Sequence, residues 1–267
     1  LLIVGIVLAA IGALMNLDNP TRLWTGLLYN NVFFLMLGLV AAFFLASHIV
    51  GYGGWITLFR RVPEAMMMYV PVGGIIMIII LALGMHHIYH WSHEELYDPN
   101  SPSYDAILDG KRSFLNVGFF LGRSVAYIAI WTGLIWLLRR NSIQSDLGTR
   151  QQGKQLYQTS KYIAAIFIVI FAVTSSTSSW DWIMSIQPHW YSTLFGWYNF
   201  ISILVTCISF MMLVLVYLTK NGYLQGINED HFHDLGKFMF GFSVAWAYLF
   251  YSQFMLIWYA NIPEETL

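Results

Sequence analysis

PEAMMMYVPVGGIIMIIILALGMHHIYHW, residues 63–91, contains one acidic residue and no lysine or arginine. A membrane-spanning helix needs about 20 mostly apolar residues, and this run meets that requirement with room to spare. A transmembrane β-strand shows about ten residues of alternating polarity, and this stretch does not alternate. No water in the hydrocarbon region pairs backbone amides, so the run is predicted to be α-helical.

Six further runs of this kind flank it: Leu1–Leu17, Asn31–Phe59, Phe114–Leu138, Tyr162–Ser179, Thr193–Leu218 and Phe238–Tyr259. Composition agrees, since the 267 residues are 58% hydrophobic and 10% charged, against about 25% charge in a soluble domain. The expected fold class is all-α, a polytopic transmembrane helical bundle with about seven spans. No basic stripe points to nucleic acid, so nucleic-acid binding is excluded and lipid is the expected surround. Cys207 is the single cysteine; it leaves no route to an intrachain disulfide, a thiolate-held iron–sulfur cluster or a CxxCH haem. The chain begins inside an apolar run and ends at Leu267 without a terminator, so it is read as an internal piece of a longer polypeptide.

Loops on one side of the predicted spans hold Arg60, Arg61, Arg139, Arg140, Arg150, Lys154, Lys161, Lys220 and Lys237; the other side holds Arg22, Lys111 and Arg112. The basic side is expected to be cytoplasmic. The opposite side carries Glu94, Glu95, Asp98, Asp105, Asp109, Asp181, Glu264 and Glu265, with Trp91, Trp180, Trp182 and Trp190 as an aromatic belt. A faint repeat relates Trp24 and Tyr29-Asn30 to Trp190 and Tyr198-Asn199, at an offset of about 170 residues that spans four helices. It divides the chain into a truncated first span and loop (residues 1–22), a four-helix bundle of the second to fifth spans (23–189) and two helices of a second bundle (190–267). At least two more helices are expected after Leu267.

An ionisable group in the hydrocarbon region costs about 2.5–3.5 kcal/mol, so each one needs a reason. His48 is placed well inside the second span, before the flexible run Gly51-Tyr52-Gly53-Gly54, and can pass protons or bond a neighbouring helix. Arg123 needs a carboxylate, and Asp181, in the same half of the membrane, is the expected partner. Thr174 to Ser179 are six consecutive hydroxyls that lead to Asp181, able to hold a water file or to bond carbonyls one turn back. Ser176 and Ser179 are the members assigned to a proton route. His86, His90 and His93 share one helical face by spacing, with His87 beside them, and offer a protonatable vestibule, a metal or haem site, or an ordinary interface. Glu64 follows Pro63 at a helix start and is read as a cap or as the guard of a proton entrance. His189, after Pro188, is read as interfacial.

The run Ser178-Ser179-Trp180-Asp181-Trp182-Ile183-Met184-Ser185, followed by Pro188-His189-Trp190-Tyr191-Ser192-Thr193-Leu194-Phe195-Gly196, resembles the ActF-type membrane subunit of alternative complex III. That complex is a bacterial quinol:cytochrome c or electron acceptor oxidoreductase. Leu45-Ala46-Ser47-His48-Ile49-Val50-Gly51-Tyr52 and Trp258-Tyr259-Ala260-Asn261-Ile262-Pro263-Glu264-Glu265 extend the likeness over nearly the whole chain. The resemblance implies an NrfD-like, polysulfide-reductase-type fold of about ten helices in two bundles, in the bacterial inner membrane. It implies no catalytic residue and no cofactor on this chain. Quinol, such as menaquinol, is oxidised in the complex, and c-type haems and iron–sulfur clusters sit in partner subunits beside an ActC-like membrane subunit. By position, His48, His86, His87, Arg123 and Asp181 would line a proton route. The competing readings are a quinol-binding subunit using Asp181, His86 and His189, a pure scaffold, and an independent secondary transporter.

Overall fold

The computed structural model describes residues 5, 8, 11–12, 19–224 and 226–261. The predicted first span, Leu1–Leu17, lies almost wholly outside the described residues, as do Glu264 and Glu265. Every regular element among the described residues is helical, with no strand. The α-helices are α1 (Pro20–Val50), α2 (Arg61–Met67), α3 (Tyr69–Ile88), α4 (Ala106–Lys111), α5 (Val117–Leu147), α6 (Arg150–Trp182), α7 (Leu194–Lys220) and α8 (Glu229–Ala260). Six segments, with α2 and α3 counted as one, are long and apolar enough to cross a membrane. The chain is a multi-pass α-helical membrane protein.

Local chemistry moves several helix ends from where apolar runs alone put them. α1 begins at Pro20, where the Asn19 side chain accepts the Arg22 N–H at 3.2 Å and proline sits in the first turn. It stops at Val50, because Gly51 caps it and Tyr52 turns the chain at φ 54°. The predicted span Asn31–Phe59 is thus displaced toward the N-terminus, and His48 lies in the last turn of α1, not well inside it. The predicted helix 63–91 is broken at Met68, since Pro71 lacks the N–H that would bond the Met67 carbonyl. It ends at Ile88; Tyr89 is extended, fully buried, and donates its hydroxyl to the Trp182 carbonyl at 2.9 Å. A capping box of Thr149 and Gln152 starts α6 before the first apolar residue of its predicted span.

α1 is the central helix, packed against α2, α3, α6 and α7; α5 pairs with α6 and α3, and α8 lies along α7. Helices in lipid gain little from burying apolar surface against one another, so close approach and dispersion carry the packing. Gly38 is one such point: a Cβ there would stand 2.9 Å from the Met66 carbonyl oxygen and 3.3 Å from Val70 Cγ2. Gly84 is another, with the Trp24 ring 2.7 Å from the equivalent position. Because a backbone carbonyl cannot rotate away, Gly38→Val is expected to push α2 off α1 and to cost about 1–3 kcal/mol. The midpoint of thermal unfolding in detergent checks this; an unchanged midpoint would show that the contact yields freely.

Cys207 is buried on α7 and points its Sγ at the Leu37 carbonyl of α1, 3.7 Å away. The two positions are 170 residues apart, the offset of the faint sequence repeat.

Candidate functional site

Two polar clusters sit at opposite ends of the bundle built by α1, α5 and α6. At the acidic end, the antiparallel pairing of α5 and α6 brings the first turns of α5 beside the last turn of α6. Arg123 donates from Nε to Asp181 Oδ2 at 3.0 Å and from Nη2 to Oδ1 at 2.8 Å, and Nη1 reaches the Phe114 carbonyl at 3.1 Å. Tyr127, one turn along the same face of α5, donates to Asp181 Oδ2 at 3.2 Å. The carboxylate is 0% exposed and the guanidinium 11%. Phe114 and Phe119, edge-to-face with each other, both lie against the guanidinium, with ring centroids 3.9 and 4.2 Å from its central carbon. The predicted Arg123–Asp181 pair is therefore present, in the side-on form that a planar guanidinium allows. Tyr127 escaped the sequence reading; its spacing of four from Arg123 was the available signal.

The hydroxyl run does the work of helix back-bonding more than that of a water file. Thr174 donates to the Ile170 carbonyl at 2.7 Å, Ser178 to Ser175 at 3.0 Å and Ser179 to Ser175 at 2.8 Å. Ser176 and Thr177 reach carbonyls one turn back at 3.4 and 3.2 Å. Ser176 faces α7, where a Cβ on Gly196 would meet its own Cβ at 2.9 Å. Ser179 also accepts the Asn199 amide at 2.7 Å. Neither serine has a hydrogen bond to Asp181.

The histidine face is a correction of a different kind. Since α3 stops at Ile88, His86 stays on the helix while His90 opens a short 3₁₀ turn ending at Ser92. The rings still gather, with centroids of His86 and His93 5.6 Å apart and those of His90 and His93 6.1 Å apart. They do so by chain reversal and not by helical spacing. His93 Nε2 bonds the His86 carbonyl at 3.1 Å, and His86 Nδ1 lies 3.1 Å from Ser92 Oγ. No group of histidine, cysteine and carboxylate side chains among the described residues is arranged to hold a metal ion. His87 is exposed beside them. His189 pairs with Asp105 at 2.8 Å. Burial pushes the Asp105 carboxyl up, but the Leu108 and Ile107 amides and His189 outweigh it and hold the group below the ordinary carboxylate range. The three residues of the quinol-binding alternative thus have separate partners: Arg123 and Tyr127 for Asp181, Ser92 for His86, Asp105 for His189.

At the arginine-rich end, Glu64 sits in the first turn of α2, 2% exposed, but it does not cap the helix. Its Oε2 takes Arg61 and Arg139, and its Oε1 accepts Ser142 at 2.5 Å, with Arg60 Nε 4.0 Å away. Arg60 Nη2 also bonds Asp146 at 2.6 Å, and Arg61 contacts the other oxygen of Asp146. A cap needs a free carboxylate oxygen near the helix amides, and side-chain donors from α5 occupy both. Arg139 and Ser142 lie three apart on one face of α5, a pairing that no sequence pattern linked to Glu64.

Beside this cluster is a cavity of about 400 Å³, lined by His48 and Tyr52 from α1 and its turn, by Arg60 and Glu64, by Asn141 of α5, and by Tyr157 and Ser160 of α6, among others. His48 Nδ1 lies 2.7 Å from the Phe44 carbonyl. A carbonyl only accepts, so Nδ1 carries the proton and Nε2 is the nitrogen that can take up another. Trp55, Phe44 and Phe238 hold the ring, with centroids at 5.2, 4.3 and 5.9 Å. Gly53 must stay small here, because a Cβ would stand 2.8 Å from His48 Cδ2.

Between the two ends the helices meet through apolar side chains. Trp131, Ile135 and Leu138 of α5 and Ala164, Phe167 and Phe171 of α6 are all buried. The helical rise from Ser160 to Thr174 is about 21 Å. Trp131 closes its far end by donating Nε1 to Thr174 Oγ1 at 2.8 Å. Comparison of the chain with protein-family models and with curated proteins finds no match.

Proposed function

We propose that this chain is a membrane subunit, with no redox centre of its own, of a quinol-oxidising respiratory complex, and that it handles protons through the bundle of α1, α5 and α6. One observation carries the reading: a buried, hydrogen-bonded carboxylate at Asp181 and a polar cavity containing His48 occupy opposite ends of the same bundle. An ionisable group buried in a helical membrane bundle is a candidate functional group by default. Quinol oxidation releases protons, which gives a partner of this design a chemical use. The apolar stretch from Trp131 to Phe171 suits that role, because a standing file of water would let protons leak back down their gradient. Passage then depends on transient hydration of this section.

Membership of a quinol-oxidising complex is supported by the motifs of residues 178–196 and 258–265. On that reading, iron–sulfur and c-haem subunits carry the electrons, and an ActC-like partner meets the quinol. The Lys/Arg bias supports placing the arginine-rich end in the cytoplasm, and the resemblance implies a bacterial inner membrane. Asp181→Asn and His48→Ala, each in the assembled complex reconstituted into vesicles, are expected to keep electron transfer and to lower the proton-to-electron ratio. An unchanged ratio in both variants, with assembly intact, would reduce the chain to a scaffold.

A further inference from the structure

The cavity at the arginine-rich end holds more hydrogen-bond donors than its own acceptors use. Asn141 is 9% exposed, lines the cavity, and its Nδ2 has no hydrogen-bond partner among the described residues. A buried amide left unpaired is costly, so an acceptor from outside the chain is the economical explanation. Arg60 faces the same space with a side chain 29% exposed. Three guanidiniums, Arg60, Arg61 and Arg139, stand against two carboxylates, Glu64 and Asp146, which leaves the cluster at +1. Both Glu64 oxygens have protein donors already, so the carboxylate does not meet the Asn141 amide.

The rest of the lining is mixed: the aliphatic side chains Leu45, Ile49, Ile56, Leu138 and Leu156 stand among the hydroxyls of Thr57, Ser145 and Ser160. A site that combines cationic and amide donors with five aliphatic side chains matches an amphiphile better than a free ion. Its position, among basic residues at one end of a transmembrane bundle, is where lipid headgroups lie. We propose that the cavity docks a phosphate-bearing headgroup, that of an anionic phospholipid from the adjoining leaflet, with Arg60 and the Asn141 amide as its donors. Free phosphate shares this chemistry but makes no use of the aliphatic side chains. The inference goes beyond the proton reading; both use the cavity that His48 lines, but the test reads lipid binding and not proton transfer.

The test uses the full chain purified in a neutral maltoside detergent and titrated with dihexanoyl phosphatidylglycerol, with the matching neutral diacylglycerol, or with inorganic phosphate. Binding is read by native mass spectrometry and by the thermal midpoint. Phosphatidylglycerol is expected to bind one molecule per chain and raise the midpoint, while the diacylglycerol does neither. Asn141→Leu, which removes no bond made by Nδ2, is expected to weaken phosphatidylglycerol at least about tenfold. Arg60→Gln is expected to weaken it further; Asn141→Leu keeps the test valid if Arg60→Gln fails to fold. Equal binding by wild type and Asn141→Leu, or an equal effect of the diacylglycerol, would overturn the site. Inorganic phosphate matching phosphatidylglycerol would overturn the lipid as its source. No binding of either phosphate probe would overturn the proposal outright.

Discussion

Arg123→Leu is expected to destabilise the protein by about 3–5 kcal/mol, the cost of leaving a buried carboxylate without its cation. Asp181 is 0% exposed, and two of its three side-chain hydrogen bonds come from Arg123. Tyr127 alone cannot replace a two-pronged guanidinium. Arg123→Lys should recover little, since an ammonium is a point charge that cannot span both oxygens and gives up the planar group's contacts with Phe114 and Phe119. The double variant Arg123→Leu, Asp181→Leu removes both charges, so it is expected to be more stable than Arg123→Leu alone. Unfolding free energies of the two single variants and the double variant, in one detergent, give the coupling between the residues. A double variant as unstable as Arg123→Leu would show that packing around the guanidinium, and not the charge pair, carries the energy.

That pair was legible in the sequence because the hydrocarbon region admits few alternatives. A charge that cannot be removed, in a chain with few buried acids, limits the choice of partner. Six of the seven expected spans, those that fall among the described residues, were legible for the same reason: backbone pairing in lipid forces helices of a minimum length. What hydropathy did not carry was the position of helix ends. Asn19, Pro20 and Gly51 set the limits of α1 through hydrogen bonds and backbone angles, so His48 moved from mid-helix to a cavity wall. Tyr89 ended α3 early and dissolved the helical histidine face. Glu64 was misread as a cap because two of its partners, Arg139 and Ser142, lie far along the chain on α5. Distant pairs of this kind leave no local trace when several arginines are equally plausible partners.

Glu64→Gln is expected to cost about 2–4 kcal/mol, because it removes one of only two negative charges set against three arginines. An amide of the same shape can still accept from Ser142, but its nitrogen presents donors to guanidinium donors, so at least one contact turns repulsive. The guanidiniums are 29–40% exposed, whereas the carboxylate is 2% exposed. Solvent and salt therefore reach the repelling charges more readily than they reached the original attraction. The deficit of Glu64→Gln should shrink as ionic strength rises toward values where the Debye length is about 3 Å. Pairing it with Arg139→Gln should restore part of the loss, since the cluster then returns to one surplus positive charge, as in the native protein. Thermal midpoints of wild type, Glu64→Gln and the double variant at low and high salt decide the matter. A loss that is insensitive to salt and unrelieved by Arg139→Gln would mean that Glu64 is held for its shape, and that the arginines at this end are kept apart by something other than its charge.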